Sequence, residues 1–200
     1  MKERKVVIVL HVLLVVLETI AAVYMLSGEG LAVLRYYTVD SNILQLVVSI
    51  LTLSCFIRKK DVPAALTVMQ LVASVCLTVT FLIAAFVLMP QSTFYYYFVE
   101  NVAPINHFFG PLLSVIVLIL SREKIPGYAI VAPAAVSLMY GIVALILNAM
   151  KVLTGPYFFL EVYKTEARVI VMWFGIIFVL CVALAAVYMA LHRVVMKRSA

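Results

Sequence analysis

Apolar residues run along this chain in six long stretches separated by short clusters of charge and turn residues. The stretches fall near residues 5–27, 38–57, 62–89, 103–121, 127–149 and 167–192. A helix needs about 20 apolar residues to cross about 30 Å of hydrocarbon, and these stretches are of that order. The pattern therefore predicts an all-α fold: one domain over residues 1–200, a polytopic integral membrane protein built as a six-transmembrane-helix bundle. No soluble domain fits between the stretches. The first is far longer than the apolar part of a signal peptide and lacks a small-residue cleavage pattern after it, so it reads as a retained helix.

A second pattern lies inside the first. Thr38, Ser41, Asn42, Gln45, Ser49 and Thr52 recur at steps of three or four, which gathers them on one face of a helix. In hydrocarbon such a face must turn into the bundle. Thr67, Gln70, Ser74 and Thr78 repeat the arrangement in the third stretch, and the two faces together could line a cavity. Interhelical hydrogen bonds, worth about 0.6–2 kcal/mol each, would explain them equally well, especially in the third stretch. Thr38 could also be a helix N-cap.

Composition narrows the class. The chain is 66% hydrophobic and 12% charged, with mean hydropathy +1.19, which excludes a soluble domain, a disordered segment and a disulfide-stapled module. The net charge of +6 is scattered over loop ends and makes no continuous basic face, so nucleic acid is not an expected partner. The charge does report topology. Eleven cations (Lys2, Arg4, Lys5, Arg58, Lys59, Lys60, Arg122, Lys124, Arg193, Lys197 and Arg198) fall on one side of a six-span arrangement, against Arg35, Lys151, Lys164 and Arg168 on the other. Positive residues are retained in the cytoplasm, so both termini should be cytoplasmic. Short loops suggest a bacterial cell membrane.

Catalytic and ligand-binding residue types are sparse. Cys55, Cys76 and Cys181 have no metal-like spacing, and His11, His107 and His192 lie far apart, so no metal site is expected. His11 and His192 read as local packing or hydrogen-bonding residues. Phe94 and Tyr95, Tyr96 and Tyr97 resemble an interfacial aromatic belt. His107 is the histidine of the outer half of the bundle, and it opens the fourth stretch at the depth where Thr38 opens the second. A hydroxyl and an imidazole are the two halves of a nucleophile and its general base. Glu18, two-thirds along the first stretch, is an acid at membrane depth that could orient His107, pair with Arg35 or reach the outer interface.

Three segments carry a family resemblance: Arg35-Tyr-Tyr-Thr38-Val-Asp-Ser-Asn42, Asn106-His107 followed by Pro111, and Thr154-Gly155-Pro-Tyr157-Phe-Phe159-Leu160-Glu161 with Ala167-Arg168 beyond. In order and in spacing relative to six helices they resemble the androgen-induced protein family, which includes the androgen-dependent TFPI-regulating protein and small bacterial relatives. The resemblance spans most of the chain from residue 35 onward, and its third segment is the most specific. It implies a membrane hydrolase of fatty acid esters of hydroxy fatty acids, with Thr38 as nucleophile and no cofactor. Animal members carry Asn-His-x-x-His with the second histidine functional. Here Gly110 stands in that place, and Pro111 downstream suggests a shift of one turn that gives His107 the role. Phe158 replaces a family proline.

The resulting expectation is acyl transfer from a membrane lipid or acyl ester, with His107 deprotonating Thr38. Asn42, Asn106 or the amides opening the fourth helix could stabilise the oxyanion. Ser41, Gln45 and Glu18 complete the candidate pocket. The alternatives are a non-catalytic lipid-binding or sensor protein, and a small-molecule transporter using the polar helix faces, although neither broken helices nor inverted repeats are evident.

Overall fold

The computed structural model describes residues 2–198, and among them every regular element is helical. The side chains of the topological cations Lys2 and Arg198 lie outside the described residues. Helix α1 spans Lys2–Glu29 and passes through a 3₁₀ segment, Gly30–Arg35, into α2, Tyr37–Ile57. Helix α3 covers Ala64–Ile83 and runs on through a π turn, Ala84–Leu88, and a 3₁₀ turn, Met89–Gln91. The short aromatic α4, Phe94–Phe98, is followed by a second π turn, Ile105–Phe109, and by α5, Gly110–Leu120. Helices α6, Ala132–Ala149, and α7, Ala167–Arg198, close the chain.

Local sequence accounts for several boundaries. Pro63 precedes α3 in extended backbone, and Pro133 sits in the first turn of α6, where its missing N–H has no intrahelical partner to lose. Thr93 caps α4, its hydroxyl accepting from Tyr96 N at 3.2 Å. Thr38 is not a cap. The half-in residue before α2 is Tyr36, which leaves Thr38 inside the first turn with its hydroxyl free for other work.

Five helical stretches are long and apolar enough to cross a membrane: Arg4–Arg35, Tyr37–Ile57, Ala64–Gln91, Gly127–Ala149 and Ala167–Lys197. They lie over five of the six expected spans. The fourth expected span appears as a shorter apolar helix, Ile105–Leu120, about 24 Å long at the α-helical rise. The outward faces are apolar throughout, with Val9, Val16 and Ile20 of α1, Ile142 and Ile146 of α6 and Val171 and Val179 of α7 all exposed. So much uncovered apolar surface suits a bilayer and not water.

The interior is the reverse. Helix α3 is central, packed on α2, α5, α6 and α7. Where it meets α2 and α5, Gln45 and Gln70 exchange reciprocal hydrogen bonds at 3.3 and 3.0 Å, and Ser114 donates to Gln45 Oε1 at 2.6 Å. Ser74 and Ser114 pair at 2.8 Å, and Gln45 also donates to Ser49 at 2.9 Å. His11 joins the same network through Ser49 at 3.2 Å. Around Gln45, Ser49, Gln70 and Ser74 the polar faces of the second and third stretches therefore meet as a mutually bonded seam. At the start of the second stretch Thr38 and Ser41 do line cavities. On the far side of α3, an apolar core of Leu71, Val75, Val79, Leu118, Cys181 and Ala185 joins it to α5 and α7.

Candidate active site

The site lies at the end of the bundle where the α1–α2, α3–α5 and α6–α7 connections gather. Thr38, in the first turn of α2, and His107, in the π turn before α5, line one cavity of about 300 Å³ together with Asn106, Tyr97, Glu100 and Tyr157. Near its rim Arg35 donates to Glu29 at 3.0 Å and to the Tyr36 hydroxyl at 2.7 Å. No hydrogen bond joins Thr38 directly to His107. Catalytic contacts of this kind are commonly loose until substrate arrives.

His107 is oriented by the backbone. Its Nδ1 lies 2.8 Å from the Tyr97 carbonyl, an atom that can only accept, so Nδ1 carries the proton and Nε2 keeps the free lone pair. The ring is also flanked edge-on by Tyr97 and Phe98 at 5.7 and 6.1 Å. Tyr97 is thus turned inward, unlike its exposed neighbours Phe94, Tyr95 and Tyr96, and only those three fit the expected aromatic belt.

Asn42 ties the two site helices together. Its Nδ2 donates to the Thr38 carbonyl at 2.7 Å and to the Asn106 carbonyl at 3.3 Å. Those bonds occupy the donors that an oxyanion would need, which removes Asn42 from that role. Ser41 is likewise committed, donating to the Tyr37 and Thr38 carbonyls and meeting Thr80, and Gln45 belongs to the deep network. None of the three lines the cavity that Thr38 shares with His107. Asn106 does.

Glu18 neither reaches the interface nor pairs with Arg35. It is 1% exposed, and neither carboxyl oxygen has a hydrogen-bond partner. It faces α5 where that helix is thinnest. A Cβ on Gly110 would stand 2.5 Å from Glu18 Oε1, 2.9 Å from the Ile105 carbonyl and 3.0 Å from the unpartnered Asn42 Oδ1. Only glycine fits there.

Tyr157, read in the sequence only as part of the third resembling segment, proves to line the site. It comes from the α6–α7 loop, which folds back because Asn148 donates to the Leu153 carbonyl at 3.1 Å and accepts from Val162 N at 2.8 Å. Gly155 permits the return, since a Cβ there would stand 2.6 Å from the Leu160 carbonyl. Tyr157 stacks on Phe159, nearly parallel at 5.5 Å, and Phe159 stacks on Trp173 at 4.7 Å. Its phenol lies beside Thr38 on the wall of the same cavity. Burial pushes that phenol up to about 12, with the neighbouring Thr38 opposing the shift, so it is a neutral O–H donor at any physiological pH.

Comparison with family models, with curated proteins and with solved structures finds no match. The site is therefore argued on its geometry. Thr38 shares a cavity with a phenol and with an imidazole whose Nδ1 is held by a backbone carbonyl. Such a set can activate a hydroxyl and stabilise a developing oxyanion. Among the described residues no cluster of three or more His, Cys, Asp or Glu side chains could hold a metal ion.

Proposed function

We propose that this protein is a multi-pass membrane ester hydrolase that cleaves fatty acid esters of hydroxy fatty acids or related acyl esters, as its resemblance to the androgen-induced protein family suggests. One observation carries the reading: Thr38 and His107, from two different helices, meet at one cavity, with the imidazole held in the tautomer a general base requires. In this reading Ile105–Leu120 is a sixth span, shortened by the site at its head. Both termini are cytoplasmic and the Thr38 end faces outward from a bacterial cell membrane, in keeping with the distribution of lysine and arginine.

The reaction runs in two halves. His107 Nε2 takes the Thr38 hydroxyl proton as Oγ1 attacks the ester carbonyl, and the Tyr157 hydroxyl and the Asn106 amide are the donors nearest the oxyanion. The carbon–oxygen bond to the leaving alcohol breaks, and the imidazolium returns its proton to that oxygen. Water, deprotonated by His107, then attacks the acyl-threonine; the bond to Thr38 Oγ1 breaks, the imidazolium returns its proton to that oxygen, and the fatty acid is released. A lipid substrate suits the position, because acyl chains can remain in the membrane while only the ester enters the polar cavity.

Labelling with a hydroxyl-directed fluorophosphonate tests the proposal. Wild type should take the label and lose it in both Thr38→Ala and His107→Ala. A folded wild type that stays unlabelled, or a Thr38→Ala variant that labels equally, would overturn it in favour of lipid binding without turnover or transport.

A further inference from the structure

Thr38 stands between two cavities of opposite character. On its other side is a narrow space of about 60 Å³ that shares only Thr38, Tyr157 and Leu88 with the cavity of His107. Along α3 its wall runs from Leu88 to Val79, about 13 Å at the helical rise, and includes residues of the π turn Ala84–Leu88. Helices α6 and α7 supply the opposite wall, with Gly141, Trp173, Phe174 and Ile177. Long and narrow, it matches a single unbranched chain better than a ring or a headgroup.

The wall contains hydroxyls, but they are turned to partners. Tyr37 and Ser137 bond each other at 2.7 Å, and Ser137 also donates to the Pro133 carbonyl. Tyr140 donates to the Arg35 carbonyl at 2.6 Å, and Thr80 pairs with Ser41 at 3.1 Å. Apart from Thr38 and Tyr157, which it shares with the cavity of His107, and the indole of Trp173, the wall is apolar or already bonded, and a cavity poor in polar partners accepts apolar guests. The partition also places the nucleophile: a carbonyl carbon at Thr38 Oγ1 has the cavity of His107 and Glu100 on one side and a mainly apolar slot on the other.

We propose that this mainly apolar cavity is the acyl-chain pocket of the substrate, and that Gly141 and Phe174 set its capacity. The inference rests on the hydrolase reading for its substrate, though not for its test. A Cβ at residue 141 would stand 2.8 Å from Phe174 Cζ, so the ring packs where any larger residue would be and the space left over is what a chain can use. Phe174→Ala should open the slot. Gly141→Leu should fill it.

The chain has one tryptophan, and it lines this cavity, so occupancy can be read without turnover. The full-length protein in detergent is titrated with octanoate and palmitate methyl esters brominated along the chain, while Trp173 fluorescence is followed. The same variants are assayed on p-nitrophenyl butyrate, octanoate and palmitate. Saturable quenching above the linear micelle background is expected, lost in Gly141→Leu, with Phe174→Ala shifting selectivity at least tenfold toward the longer ester. If Gly141→Leu fails to fold, Phe174→Ala decides alone through its selectivity and its tighter quenching by the longer probe. Quenching that never saturates, or that neither variant alters, overturns the pocket whatever the enzyme turns over. Saturable, variant-sensitive quenching in a protein that cleaves no ester supports the chain pocket and refutes the hydrolase reading.

Discussion

Replacing Tyr157 by phenylalanine removes one oxygen from the site and little else. The ring is held by its stack on Phe159, 5.5 Å away and 7° from parallel, and Phe159 is held in turn by Trp173. The substituted ring should therefore keep its place. What disappears is the hydroxyl beside Thr38, a neutral donor in the cavity where charge would develop as Thr38 attacks. Loss of one oxyanion donor in other hydrolases costs about 100- to 1000-fold in kcat, or about 3–4 kcal/mol. Loss of one ordinary hydrogen bond costs about 0.5–1.5 kcal/mol of stability and leaves the chemical step alone. The two roles are separated by measuring kcat and KM on p-nitrophenyl octanoate beside the thermal midpoint in the same detergent. A transition-state donor requires kcat to fall by about 100-fold or more with KM nearly unchanged. If kcat stays within about threefold of wild type while the midpoint drops, Tyr157 is a structural clamp and the oxyanion must be served by Asn106 or by backbone amides.

Two further outcomes follow from the same geometry. Gly110→Ala should destabilise the protein by about 1–3 kcal/mol, because the added methyl meets a carboxyl and a backbone carbonyl at less than 3 Å; Glu18→Ala in the same chain should recover part of the loss, and unfolding in mixed micelles measures both. The phenol of Tyr157 is pushed up to about 12 against an ordinary value near 10, so its neutral form stabilises the fold fully below about pH 10 and that contribution is lost as pH climbs through about 12. The difference in tyrosinate absorbance between wild type and Tyr157→Phe should accordingly rise near pH 12, and a rise near pH 10 would show the phenol to be solvated.

Much of the architecture could be read from the chain because a bilayer punishes polarity at fixed depth. Apolar length placed the helices within a few residues, and the spacing of Ser41, Gln45 and Ser49 identified the face of α2 that turns inward. The same rule drew Thr38 and His107 together, since both open helices at one end of the bundle. It could not say which polar residues pair off. Asn42 looked like an oxyanion donor until its amide was seen bridging the Thr38 and Asn106 carbonyls, and Glu18 was open to orienting His107, pairing with Arg35 or reaching the interface until it was found buried with neither carboxyl oxygen partnered. Tyr157 was noticed as part of a motif but not placed in the site, because its position depends on a loop that returns through Asn148 and Gly155, contacts with no periodic signature. Thr38 gave a false cap signal because helix-starting residue types say nothing about which neighbour takes the extended backbone.

The two π turns bear on how this chain can be compared with any other. In each, an amide bonds five residues back instead of four, Met89 N to the Ala84 carbonyl and Gly110 N to the Ile105 carbonyl. Each is thus a one-residue insertion absorbed inside a continuous helix, and one residue corresponds to about 100° of rotation. A homologue lacking that residue would keep the same span while presenting a different side chain to the cavity. Deleting one residue between Ile105 and Phe109 should leave the helix intact and swing His107 away from Thr38. Counting residues across this turn is therefore off by one wherever the extra residue is absent, and correspondence here has to be judged by which side chain shares a cavity with Thr38.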